Sequence, residues 1–161
     1  MRKYETSLNA EWHVSSDGQT RRHRWWLVMT TSAIIHFDGG ARPPDNGRGA
    51  IGYIVKIDNS TEEKGSERIG TATCNEAEYQ ALIRGLETAS EMGCTDVEVK
   101  GDSQLIVRQV NGEWKTREPH LRELRDRAQG LADGFEKFEI QHVSREENGE
   151  ADELVEEAFA N

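Results

Sequence analysis

Ala33-Ile34-Ile35-His36-Phe37-Asp38-Gly39-Gly40 is the stretch that decides the fold of this chain. Five residues of apolar and β-branched or aromatic character read as a buried strand, and the run stops at an acid followed by two glycines. A second run, Val97-Glu98-Val99-Lys100-Gly101, stops at Asp102 and is followed by Ser103-Gln104. In an open α/β sheet, ligands bind beyond strand ends near a point where the strand order reverses. Two such acids therefore converge if the two strands are neighbours.

Working outward, the punctuation predicts the remaining elements. The first strand covers Ala33 to Asp38, and a Gly-rich loop runs from Gly39 to Gly49. Ala50 to Asp58 and Glu62 to Gly70 read as a hairpin around Asn59-Ser60. Asn75 to Met92 has a helical stripe of Ala77, Ala81, Leu82, Gly85, Leu86 and Ala89, with Gly93 stopping it. Asp96 to Gly101 is a fourth strand and Ser103 to about Val110 a short helix. Pro119 to Asp133 is a helix opened by its proline. Phe135 to His142 is a fifth strand, and Gly149 to about Phe159 a last helix with Ala151, Leu154, Val155 and Ala158 inward. This order implies an α/β fold, a mixed sheet with helices on both faces.

Glu78 and Asp152 are expected in the first turns of two of these helices. Glu78 precedes Leu82 by four residues and Leu86 by eight, so it shares their inward face. A carboxylate there needs a reason, because burying it unpaired is expensive and a bound cation is the usual compensation. Four convergent acids, Asp38, Glu78, Asp102 and Asp152, would repel one another unless metal is present. Their hard oxygen donors, without Cys, select Mg²⁺ or Mn²⁺ over Zn²⁺, and two ions would support in-line displacement at phosphorus.

With 161 residues, 35% of them hydrophobic, the chain fits one ordinary domain, and no run approaches a membrane span. A cytoplasmic protein with no membrane partner is expected. Cys74 and Cys94 flank the predicted helix and are too far apart for a disulfide, so two free thiols are expected. The net charge of −10 argues by itself against nucleic acid. It combines 6 Lys and 14 Arg with 21 Glu and 9 Asp, an acidic, Lys-poor pattern suited to concentrated salt. Near 1 M salt the Debye length is about 3 Å, which screens an acidic surface from phosphate.

Residues 1–28 carry +2 against −12 for the remainder, show no clean period, and read as a disordered arm before a domain at 29–161. Arg21-Arg22-His23-Arg24-Trp25-Trp26 could grip a phosphate backbone and stack on bases. Alternatively the functional start is Met29, with the preceding residues a passenger.

Four blocks resemble the signature of type 1 ribonuclease H: Phe37 to Gly40, Thr73 to Tyr79, Gly101 to Gln104, and Glu147 to Leu154. The resemblance spans roughly residues 33–159. It implies the ribonuclease H-like fold, a five-stranded mixed sheet flanked by helices, and hydrolysis of the RNA strand of RNA/DNA hybrids to 5′-phosphate and 3′-hydroxyl ends. It carries the family's catalytic, metal-binding carboxylates onto Asp38, Glu78, Asp102 and Asp152. Gly39, Gly40, Thr73, Asn75, Ser103 and Gln104 match its substrate-contacting positions. His142 has the spacing of a histidine that assists proton movement or product release, and Arg145 could instead hold phosphate. Cys74 stands where many relatives carry Asn, which leaves open a nuclease that also cuts double-stranded RNA. A catalytically silent hybrid-binding module is the reading from another class. A monomer is expected.

Overall fold

The computed structural model describes residues 12–14, 20–22, 30–43, 47–58 and 61–161. Within the N-terminal segment, β1 (Trp12–Val14) and β2 (Thr20–Arg22) pair antiparallel, with Trp12 opposite Arg22. The other residues of that segment, including His23 to Trp26, lie outside the described residues.

A five-stranded sheet carries the domain. β3 (Ser32–Arg42), β4 (Arg48–Ile57) and β5 (Thr61–Thr71) form an antiparallel meander, and β6 (Asp96–Gly101) and β7 (Lys137–His142) continue the other edge in parallel with β3, in the order β5-β4-β3-β6-β7. The chain leaves β3 toward β4 on one side and leaves β6 toward β7 on the other. The C-terminal ends of β3 and β6 therefore flank the point where strand order reverses, the place in such sheets that leaves a crevice.

Helices cover both faces. α1 (Cys74–Glu91) buries Ala77, Ala81, Leu82, Gly85, Leu86 and Ala89, of which Ala81, Leu82, Leu86 and Ala89 join Ile35, Phe37, Val55 and Val99 in the main core. Thr73 opens it with a capping box: its hydroxyl accepts from Glu76 N–H at 3.1 Å, and Glu76 Oε1 accepts from Thr73 N–H at 3.3 Å. α2 (Gln104–Val110) and α3 (Pro119–Ala132) add Ile106, Val107, Leu121 and Ala128 to that face. α4 (Gly149–Ala160) lies on the opposite face, where Val155 and Ala158 meet Ala50 of β4. Leu154, read as inward, is only half-buried. Among the described residues, no helix is long and apolar enough to cross a membrane. Both thiols are free, Cys74 exposed and Cys94 buried.

One departure from the predicted elements shapes the site. β3 does not stop at Asp38 but runs through Gly39 and Gly40 to Arg42, which pairs with Arg48. These glycines are strand residues because helices press on the strand there. A Cβ at Gly39 would lie 2.4 Å from the Ala77 carbonyl carbon and 2.5 Å from the Glu78 nitrogen. Across the ladder, Gly52 pairs with Asp38, and a Cβ at Gly52 would lie 2.5 Å from the Ala151 carbonyl oxygen of α4. Glycine in a strand marks such a close backbone approach. Here one glycine on each face lets a helix backbone settle onto the sheet beside Asp38.

Candidate active site

The acid constellation follows from that packing. Asp38 sits in the middle of β3 and is 7% exposed. Phe37 is paired with Gly101, so Asp102, just past the end of β6, comes alongside Asp38. Gly39 admits α1 closely enough to bring Glu78 in from one face, and Gly52 admits α4 with Asp152 from the other. Glu78 is the fifth residue of α1, one residue further in than the sequence suggested, which puts it at the start of the second turn. It is the close seat of the helix on Gly39 that lets a second-turn side chain reach the strand end.

Ligand oxygens of Asp38, Glu78 and Asp102 all lie within 4.8 Å of one another. Asp152 does not belong to that close trio, but it lines the same cavity and its charge adds to the repulsion on Asp38. All four line one open cavity of about 330 Å³, together with Gly39, Gly40 and Arg145. Burial, and then repulsion from Asp102, Glu78 and Asp152, pushes the Asp38 carboxyl up to about 8. Glu78 is pushed up to about 7, by burial first and by Asp102, against the hydrogen bond from Ser103 and the charge of Arg145. The protein's own cations thus leave the cluster undercompensated. An all-carboxylate donor set in that condition fits hard divalent cations.

The remaining sequence-predicted residues divide. Ser103 caps α2, accepting from Ile106 N–H at 3.3 Å, and its hydroxyl lies close enough to Glu78 to ease that carboxyl's ionisation. Thr73 spends its acceptor on the capping box, and Asn75 follows in the first turn of α1, half-buried. Gln104 and His142 do not line the acid cavity. They border a separate polar depression of about 260 Å³ beside α2 and β7. His142 is exposed, and its Nε2 lies 3.2 Å from the backbone oxygen of Asp102 rather than from a carboxylate. The spacing of ten residues to Asp152 could not show on which side of Asp102 the ring falls.

Sequence reasoning missed Asn148. It is fully buried: its Nδ2 donates to Phe37 O at 2.9 Å, and its Oδ1 lies 3.2 Å from His36 Nδ1. This side chain ties the loop that carries Arg145 and begins α4 directly to the strand residue preceding Asp38. A polar residue in Glu-Asn-Gly gives no sign of burial; only its place just ahead of Asp152 pointed toward the site.

Comparison with known proteins agrees with this geometry. The family described as Reverse transcriptase-like matches residues 36–158. Ribonuclease HI of Halobacterium salinarum is 44% identical over 125 residues, covering 77% of this chain and 62% of that protein, so the chain spans about three-fifths of the relative's length. The crystal structure of RNase H1 from the same halophilic archaeon is 41% identical, with a TM-score of 0.75 over 80% of this chain and 98% of that one. LC11-RNase H1, solved in complex with an RNA/DNA hybrid, is 38% identical, with a TM-score of 0.72 over 80% of this chain and 96% of that one. The chain belongs to the Reverse transcriptase-like family and, within it, to the type 1 ribonucleases H.

Proposed function

We propose that this protein is a metal-dependent endoribonuclease that hydrolyses the RNA strand of RNA/DNA hybrids, leaving 5′-phosphate and 3′-hydroxyl ends. The observation that carries the reading is the approach of ligand oxygens of Asp38, Glu78 and Asp102 to within 4.8 Å of one another at the crevice of the sheet, in an open cavity of about 330 Å³. That LC11-RNase H1 was solved with an RNA/DNA hybrid supports the choice of substrate.

Asp38, Glu78, Asp102 and Asp152 would hold two Mg²⁺ or Mn²⁺ ions. Bound there, such ions supply Lewis-acid polarisation of a phosphate and a hydroxide nucleophile at neutral pH. The protein's part is placement. Asp38, the most enclosed of the four, anchors the centre, and Ser103 fixes the Glu78 carboxylate. Arg145, the exposed cation facing Glu78 in the same cavity, binds the phosphate under attack. Thr73, Asn75, Gly39, Gly40 and Gln104 contact the hybrid around it through short polar groups and backbone, reading shape and 2′-hydroxyls rather than base sequence. His142 acts at the rim, on departing product. The working unit is residues 29–161 as a monomer, with residues 1–28 an arm outside it.

The test is Asp102→Asn on a hybrid with labelled RNA, with product ends mapped. The variant should lose cleavage by more than a hundredfold while keeping its fold. Activity within tenfold of the parent would overturn the site, and 2′,3′-cyclic phosphate ends would overturn attack by water.

A further inference from the structure

Arg42 lies four residues beyond Asp38 on β3, so strand alternation puts both side chains on the same face, and both line the acid cavity. Its guanidinium stacks 4.3 Å from the centroid of the Phe159 ring on α4. Its Nη2 donates to both carboxylate oxygens of Glu156, also on α4 and also at the cavity. Arg42 and Glu156 are both about half exposed.

This pair is not needed to dock α4. Val155 and Ala158 already pack on Ala50, Ser66 donates to Leu154 O at 2.6 Å, and Arg68 holds the helix end through Ala158 O at 3.0 Å and Phe159 O at 2.8 Å. An exposed Arg–Glu pair adds little to stability. Its location is more telling. Of the cavity's charged side chains, Asp38, Glu78, Asp102 and Asp152 face the proposed ions and Arg145 faces Glu78, which leaves Arg42 tied to Glu156 on the α4 side. Stacking on Phe159 fixes one face of the guanidinium plane and leaves its edge to a two-oxygen acceptor. A phosphate presents the same acceptor geometry as the carboxylate now there.

We infer that Arg42 contacts a backbone phosphate of the bound hybrid on the α4 side of the cleavage site, and that Glu156 is a built-in competitor for that contact. The inference rests on the hybrid-cleaving reading above. Glu156 thereby lowers affinity at low salt, and this restraint fades as salt screens the ion pair. The net effect is a substrate affinity less sensitive to salt than Arg42 alone would give.

The experiment measures binding of a fluorescent RNA/DNA hybrid by anisotropy, in an Asp102→Asn background with Mg²⁺ so that the strand stays whole, from 0.05 to 1 M NaCl. Glu156→Gln should tighten binding about two- to fivefold at the lowest salt and converge on the parent near 1 M. Arg42→Gln should weaken it about three- to tenfold and reduce the slope of log affinity against log salt by about one. Adding Glu156→Gln to Arg42→Gln should then change nothing, because Glu156 acts through Arg42. Equal tightening with and without Arg42 would mean a general charge effect and overturn the inference, as would an unchanged affinity in either single variant. Melting temperatures within about 3 °C of the parent establish that the variants fold. A parent that binds no hybrid at any salt would instead overturn the hybrid-cleaving reading itself, and the inference with it.

Discussion

Replacing Asp38 by Asn should make the metal-free protein more stable, by an amount that depends on pH in a defined direction. The Asp38 carboxyl is raised from 3.8 to about 8 by burial and by its acidic neighbours. At pH 4 the group is protonated in the folded chain and about two-fifths protonated in the unfolded one, so its cost there is only about 0.6 kcal/mol. As pH rises above 3.8 the unfolded chain ionises while the folded one holds its proton, so stability is lost progressively until about pH 8. Between 3.8 and pH 7 the interval is about three pH units at about 1.36 kcal/mol each, a ceiling near 4 kcal/mol. Water entering the open cavity reduces the expected gain from Asp38→Asn to about 1–3 kcal/mol, or about 4 to 12 °C in Tm. The assay is thermal unfolding by circular dichroism in EDTA from pH 4 to 8, repeated with Mg²⁺. The variant should lie within about 1 kcal/mol of the parent at pH 4, exceed it clearly by pH 7.5, and gain far less from Mg²⁺, since ligand binding stabilises only a state that holds the ion. A variant less stable than the parent at pH 7.5 in EDTA, or an equal gain at pH 4, would refute the reasoning.

Gly39→Ala should lower Tm and cut hybrid cleavage at least tenfold, because its Cβ would sit 2.4 to 2.5 Å from α1 backbone that has no side chain to swing away; unchanged melting would show that α1 is not seated on β3 as described. Asn148→Ala should cost about 1–3 kcal/mol in denaturant unfolding by stranding the buried Phe37 carbonyl, with a loss below 0.5 kcal/mol counting against the tie. Tm should climb between about 0.1 and 2 M NaCl as the excess acidic charge is screened, and a flat or falling curve would remove the concentrated-salt reading.

Much of the fold was legible because its signals are local. The strand Asp96–Gly101 was read with its observed bounds, and the helix read as Asn75 to Met92 differs by one residue at each end from α1. A 3.6-residue apolar stripe, the Thr73 cap and Gly93 are all short-range features. The full length of β3 was not legible. Gly39-Gly40 carries the same signal as a loop, and only helices arriving from distant sequence on both faces turn it into strand. Gly52 and Asn148 were hidden for the same reason: their roles depend on Ala151 and Phe37, partners 99 and 111 residues away along the chain. The candidate site shows a similar split. Acids after apolar runs could be picked out and their convergence argued from strand order. Which histidine or arginine faces them depends on how the loop between β7 and α4 folds, and there the structure puts Arg145 in the cavity and His142 outside it.

The most direct test of the central claim is cleavage of matched RNA/DNA, RNA/RNA and DNA/DNA duplexes, end-labelled on each strand in turn, with Mg²⁺, Mn²⁺ or EDTA. The account predicts cutting of the RNA strand of the hybrid with either metal, an intact DNA strand, and no cutting in EDTA. Cleavage that persists in EDTA, or a hybrid left whole with both metals present, would contradict it.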